Sequence, residues 1–468
     1  MLQPIKKIIL LFLSLLVFAG ISAVYFFQET PLEAEDQEDS SEPTAIVYPE
    51  IDISMQGLLD NNRWSELEAV RRQLTQGKLD AKVRKRIESL MGQPIPQSKR
   101  NDPDALMAWL IQMPADKDIL YDYLKFQIPY QVDQAIDSTN DPGRRNLRFA
   151  WMWHELAIAA MNGYEATGET RFLNLVAESF DVILQYRDDR LGIVDGFLGK
   201  PVTSWGHQRP EDTLWWNEVT IPGRIAQPAA MFCHAVYQND TLSMAYRIKA
   251  DYFKKELRDV ILGCAEMYEV DAGKGYYVNH QLKRPDAINH INAFAAFLSI
   301  YQTLGRDADM SCRLEELEQG FRQHFCELDN GSLTWPYFYQ STTDESCELK
   351  PEYSWKAQVS MYFPVFAHKY GTGFSQEEVK QCAQTFKENI YRGDRFNSII
   401  GSNYVDYADA YDPQPYSITG FAILSEFDPE VFSIIEHTVA HRQDLIEYGW
   451  FSNRMTAMAY SYKLLIGQ

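Results

Sequence analysis

Four clusters along the chain carry residue types that can do chemistry. Residues 204–224 read SWGHQRPEDTLWWNEVTIPGR, the densest mixture of aromatic and titratable groups in the sequence. There Trp215 or Trp216 offers a platform for a sugar ring, Glu218 an acid or base, and Arg224 a clamp for a carboxylate, with His207 and Arg209 alongside. The competing reading is a structural loop with a tryptophan plugged into the core. Residues 276–292 contain Asn289-His290, with Tyr277 and His280 as alternates. The bland reading of His290 is a hydrogen-bonded residue at a helix start. Residues 351–356 contain Tyr353 and Lys356, where a tyrosine at a helix start is commonly packing. Residues 401–416 interleave Asp406, Asp409 and Asp412 with Tyr404, Tyr407 and Tyr411. Glycoside hydrolysis needs two carboxyl groups across the scissile bond, and Glu218 with Asp406 or Asp409 would supply them. A polar loop capping a helix is the alternative there.

Other chemistries lack their signatures. No phosphate-binding loop, dinucleotide-binding glycine pattern, nucleophile elbow or zincin motif occurs. None of the six cysteines forms a C-x-x-C pair, so no metal site and no cofactor is expected. Cys326 and Cys347 flank a loop and could pair, against the alternative of free buried thiols. The net charge of −21 argues against a nucleic-acid partner. It also weakens the case for a polyanionic substrate unless basic residues gather in one cleft. Aromatic residues make up 13% of the chain, ample for a core with some left to meet sugar rings.

The elements that must position these clusters repeat. From about residue 146 an apolar helix, a turn, an amphipathic helix and a long aromatic loop recur at a spacing of roughly 65–75 residues. INAFAAFLSIY and RIAQPAAMFCHAVY have almost no charged face and must be buried on every side. MAYRIKADYFKKELRDVI and CRLEELEQGFRQHF keep a solvated stripe. Alternating buried and surface helices predict two concentric layers, with Pro228 and Pro364 kinking inner helices. A linear solenoid competes, but its repeats run about 34–47 residues with short loops. A closed all-α ring therefore fits better, and each inner helix starts at one mouth, beside the clusters.

This alternation, with its D-x-x-x-G-type loops and the turns at Gly168-Glu169 and Gly305-Arg306-Asp307, resembles the six-hairpin, or (α/α)6-toroid, carbohydrate-active enzymes. That group contains glycoside hydrolases, polysaccharide lyases and uronyl epimerases, and one such fold hosts many chemistries. Alginate-lyase-like members place an Asn-His pair where Asn289-His290 falls. The resemblance implies that Asn289 helps neutralise a uronate carboxyl group, that His290 takes the C5 proton, and that Tyr353 serves as base or acid. The arginine expected beside such a tyrosine is replaced by Lys356.

The N-terminus sets the location. Residues 8–27 are uncharged and long enough, at about 30 Å, to cross a bilayer. Lys6 and Lys7 precede them and Glu29, Glu33, Glu35 and Asp36 follow, so the bulk of the chain should lie outside the cytoplasm. A cleaved signal peptide is the alternative, although the apolar run outlasts a usual signal core. The expected organisation is a cytoplasmic tail at 1–7, an anchor at 8–27 and an acidic tether at 28–50. A helical region follows at 51–140 and the toroid at 141–468. A single-pass protein of a bacterial inner membrane, its domain in the periplasm, is the simplest setting.

The leading expectation is an exported enzyme that removes the C5 proton of a uronate-containing polysaccharide, as lyase or epimerase. A glycoside hydrolase with paired carboxylates is the first alternative. A non-catalytic glycan-binding protein, or a member of an envelope polysaccharide assembly, is the second.

Overall fold

The computed structural model describes residues 111–467, apart from 113, 138–141, 209–211, 213, 306, 340–349, 394–395, 402, 404–414 and 442–451. The chain divides into two compact units, Met1–Asp60 and Asn61–Gln468, and every described residue belongs to the second. The expected anchor and tether lie outside the described residues. Among those residues no helix is long and apolar enough to cross a membrane.

The inner layer consists of six helical stations among the described residues. They are α2 (Pro142–Arg148), which runs through a π turn into α3 (His154–Thr167), then α5 (Thr220–Tyr237) and α7 (Ile288–Tyr301). The broken pair α9 (Ser354–Ser360) and α10 (Tyr362–Lys369) follows, then a 3-10 helix, Pro415–Glu426, and α13 (Ser452–Ile466). Each station packs on the next, and α13 packs on α3, so the ring closes. Outside it lie α4 (Thr170–Leu184), α6 (Met244–Gly263), α8 (Ala308–Arg322), α11 (Gln376–Thr385) and α12 (Pro429–His441), each against its preceding inner station.

The sixth outer helix precedes the ring in sequence. Helix α1 (Lys117–Ile136) packs on α3, α4 and α13. Asp116 caps it, accepting from the amides of Asp118 and Ile119. The Asp116 amide donates to the Tyr460 hydroxyl at 2.8 Å, tying the first outer helix to the last inner one. The ring therefore begins near residue 117 rather than at 141. The reason is geometric: a closed ring needs an outer partner for its last inner helix, and the chain supplies it from the front.

Inner helices close up because their contact residues are small. Ala157, Ala159 and Ala160 on α3, Ala226, Ala229 and Ala230 on α5, and Ala295 and Ala296 on α7 are all buried. A Cβ added at Gly223 would lie 2.6 Å from the Phe294 Cα, so α5 and α7 meet there backbone to backbone. The two inner prolines act differently. Helix α5 continues across Pro228. The station holding Pro364 breaks between α9 and α10, as a missing amide predicts. Asn292 of α7 donates to the Ser360 carbonyl at 3.0 Å, satisfying an acceptor next to that break.

The long loops are not purely irregular, so the fold is not strictly all-α. The loop after α6 forms an antiparallel sheet of β1 (Tyr268–Asp271), β2 (Lys274–Asn279) and β3 (Arg284–Pro285). That after α8 forms the small pair β4 (Cys326–Glu327) and β5 (Leu333–Thr334). Cys326 is disulfide-bonded, which overturns the free-thiol reading for it. Cys233, Cys264, Cys312 and Cys382 are free thiols, and Cys347 lies outside the described residues.

The backbone contact at Gly223 gives a test of ring closure. Gly223→Ala should lower stability by about 1–3 kcal/mol, the usual cost of overpacking a site that cannot relax. Thermal or urea unfolding measures it, and an unchanged midpoint would mean that the α5–α7 contact is not this close.

Candidate functional site

Three inner helices carry an acid at the same offset. Glu218 stands two residues before α5, Asp286 two before α7 and Glu352 two before α9. Each inner helix is separated from the next by an outer helix running back, so all three acids sit at one end of the ring. Helix N-termini present unpaired amides and a partial positive charge, which favours carboxylates there.

His290, in the first turn of α7, joins the acids. Its Nδ1 lies 3.0 Å from Asp286 Oδ1, and its Nε2 lies 3.5 Å from Glu218 Oε1. The other oxygen of Glu218 lies 3.5 Å from His207 Nε2. At 3.5 Å these are ion-pair distances rather than hydrogen bonds. Asp286 is held in turn by the Asn279 side chain at 3.2 Å and by the Ala287 amide at 2.8 Å. This carboxylate fixes the ring orientation of His290 as a third group fixes a catalytic base. His207 packs on Trp216, centroids 4.7 Å apart.

Glu352 completes the cluster. It is 0% exposed and accepts from the Trp335 indole and from Ser360 Oγ at 2.7 Å. One turn further on, the Lys356 ammonium lies 4.0 Å from the Tyr337 ring centroid and hydrogen-bonds the Tyr337 hydroxyl. Burial pushes the Glu352 carboxyl up to about 7, and the two hydrogen bonds, Lys356 and His290 offset only part of that. Burial pulls His290 the other way, but the charges of Glu218 and Asp286 outweigh it and raise its pKa. Near neutral pH the mouth therefore holds an acid that keeps its proton beside a histidine that favours its charged form. Environments that separate titratable groups in this way are those that run acid–base chemistry.

A second buried acid supports the mouth loop. Burial raises Asp188 to about 7, against hydrogen bonds from the Trp215 indole and the Gly206 amide, each at 2.8 Å. Asp195 accepts from the Asn217 amide at 2.9 Å and from the amides of Phe197 and Leu198. These bonds tie together the described parts of the segment from residue 188 to 218, whose regular structure is a four-residue helix, Asp188–Leu191, and isolated bridges.

The structure brings together His207, Glu218 and His290, with Lys356 nearby. Asn289 is buried beside them on α7, and its Oδ1 has no hydrogen-bond partner. Tyr353 is half-buried and accepts from Lys350 at 2.6 Å. Tyr277 faces inward, edge-on to Phe294, while His280 lies on the other face of β2, towards Phe197. Arg209, Tyr404, Asp406 and Asp409 lie outside the described residues.

Two expectations need correction. Arg224 is not a free clamp: it is fully buried inside the ring, ion-paired with Glu155, bonded to the Ala150 carbonyl at 2.8 Å and stacked on Trp151. Its position a turn into α5 carries it below the mouth. Trp216 is not an open platform either, because it is 2% exposed and its indole is tied to Asp212 at 2.9 Å. Trp215 is half-buried with its indole committed to Asp188.

Sequence reasoning passed over Glu352 and Asp286, although both lie within the segments it singled out. The signal was available: an acid two residues before the first residue of three successive inner helices. It needed helix starts known to the residue, which periodicity does not supply.

Comparison with protein-family models finds no match, and comparison with curated proteins finds none. Among solved structures, the chain is similar to an inactive variant of the alpha-1,6-mannanase GH76A of Salegentibacter sp. HEL1_6 in complex with alpha-1,6-mannotriose. Identity is 9%, the match covers 68% of this chain and 90% of that chain, and the TM-score is 0.39. A likeness that distant says nothing about chemistry, and it lends no support to the lyase-like reading of Asn289-His290.

The raised Glu352 pKa has a thermodynamic consequence. Between pH 4.5 and about 7 the folded state holds a proton that the unfolded state has released. Stability contributed by this group is therefore present below 4.5 and is lost as pH rises towards 7. Glu352→Gln, which mimics the protonated form, should gain on the wild type across that window. Thermal unfolding at both ends measures it, and a pH-independent difference would show that Glu352 is ionised throughout.

Proposed function

We propose that this protein is a carbohydrate-active enzyme that hydrolyses a glycan at the mouth of the ring, with Glu352 as proton donor and Glu218 as base or nucleophile. The observation that carries the reading is the cluster itself: two buried carboxyl groups, two repeats apart and in unlike environments, with His290 paired to one and exerting its charge on the other. Hydrolysis of a glycosidic bond needs one carboxyl that arrives protonated and one that arrives charged. Burial keeps the Glu352 proton near neutral pH. The charge of Glu218 helps to raise the pKa of His290, 3.5 Å away, so the two favour each other's charged forms. The glycosidic C–O bond breaks as Glu352 protonates the leaving oxygen. Glu218 either takes a proton from the attacking water or forms the transient ester. His290, at 12% side-chain exposure, is the edge of the cluster open to solvent, and the glycan enters past it. Asp286 is a positioning residue that acts through His290.

A second reading is favoured by one observation. The uncommitted Asn289 Oδ1 and the Asp286–His290 pair also suit removal of a C5 proton from a uronate, as in β-elimination or epimerisation. The product separates the two: hydrolysis leaves reducing ends only, whereas elimination leaves an unsaturated sugar that absorbs in the ultraviolet. Residues 8–27 fit a membrane anchor, which would hold the enzyme where glycans are made or exported.

Glu352→Gln and Glu218→Gln should each lower kcat by about 10²–10⁴-fold with a smaller change in KM. Wild-type kcat should decline as pH rises through about 7, where Glu352 loses its proton. Reducing-end assays across a polysaccharide panel measure both effects. Full activity in Glu352→Gln, or an unsaturated product, would overturn the hydrolytic reading.

A further inference from the structure

The β1–β3 sheet has two faces, and only one belongs to the cluster described above. Along β2 the side chains alternate. Tyr277 and Asn279 turn inward, where Asn279 holds Asp286. Tyr276, Val278 and His280 turn outward, into an open groove of about 610 Å³. Phe197, Glu269, Lys283, Arg284 and Pro285 complete its walls. Phe197 is 39% exposed, and its ring lies 6.4 Å from that of His280. Pro285, which lines the groove, directly precedes Asp286 of the cluster.

Its charge runs against the rest of the protein. The chain carries a net −21, yet two adjacent cations, Lys283 and Arg284, stand at this groove. Neither has a carboxylate partner among the described residues, a state they share with Arg313, which stacks on Tyr268, and Lys350, which donates to the Tyr353 hydroxyl. The Arg284 guanidinium instead lies 3.9 Å from the Phe338 ring centroid. Stacking of that kind pre-organises the planar fork for a carboxylate while its edge stays free to donate. Lys283 occupies the left-handed backbone region, φ 52°, where glycine or asparagine is the usual residue. The single acid of the groove, Glu269, accepts the Tyr276 hydroxyl at 3.0 Å.

We propose that this groove binds an acidic glycan, its sugar carboxylates held by Lys283 and Arg284 and its rings lying on Phe197 and Tyr276. The proposal rests on the reading of the mouth as a glycan-processing site and names the class of substrate it takes. It also answers the objection that a protein this acidic repels polyanions, since the field that matters is local to a cleft.

The test uses the full-length protein and oligosaccharides of polygalacturonate, polymannuronate and hyaluronan. Each is paired with its carboxyl-reduced, neutral counterpart and titrated by calorimetry. At least one acidic glycan should bind about tenfold more tightly than its neutral partner, with a preference that weakens in salt. Lys283→Gly/Arg284→Gln, which keeps the turn conformation, should abolish most of that preference and leave neutral binding unchanged. Glu352→Gln should keep it. Absence of an acidic preference in every pair, or its survival in the double variant, would overturn the proposal. An acidic preference in a protein that cleaves none of these glycans would leave the groove assignment standing and sink the hydrolytic one.

Discussion

Everything in this molecule depends on closing a ring of helices that are surrounded by protein on all sides. Such a helix meets little water along its length, so most of its surface must be apolar and its neighbours must approach closely. Alanine-rich contacts on α3, α5 and α7, and the glycine of α5 against the backbone of α7, meet that demand. Once the ring is closed, its long axis has only two ends. Polar chemistry gathers at the end where every inner helix starts, because amides are unpaired there and the helix dipoles point positive.

Several polar groups that lie within the ring are linked to one another across helices. Arg224 pairs with Glu155 and stacks on Trp151, His154 meets Gln227 at 3.0 Å, and Asn162 meets Ser461 at 3.0 Å. These links join α3 to α5 and to α13, so they bridge the ring at its closing seam. A buried charge that lost its partner would be costly, so each pair also resists sliding of one helix past the next. The mouth adds acids to such links. There three carboxyl groups lie with two histidines, one carboxyl is pushed by burial to a pKa of about 7, and an asparagine oxygen is left unbonded.

Much of the fold was legible in the sequence. An apolar helix alternating with a striped one announces a buried and an exposed layer, and the length of the repeat favours a ring over a solenoid. The sixth outer helix was missed because it precedes the repeat. KDILYDYLKFQIPYQVDQAI falls in the helical region expected at 51–140 but has no inner partner next to it in sequence. Among the described residues flagged for chemistry, His207, Glu218 and His290 lie together, with Lys356 nearby, since a polar residue at the start of an apolar helix is conspicuous. Arg224 and Trp216 were misjudged for one reason. Residue type advertises what a side chain can bind, while its partners decide whether it is free to do so.

By itself, then, the sequence determined the layers, the approximate helix starts and the concentration of titratable groups near them, because these follow from local periodicity and composition. Tertiary structure decided which groups meet. That Glu218, Asp286 and Glu352 share one mouth with His207 and His290 depends on ring closure, which brings together residues from separate repeats. Their protonation was decided there too, because a carboxyl group's affinity for a proton is set by the water it loses and the charges it gains. Only the packed ring fixes either.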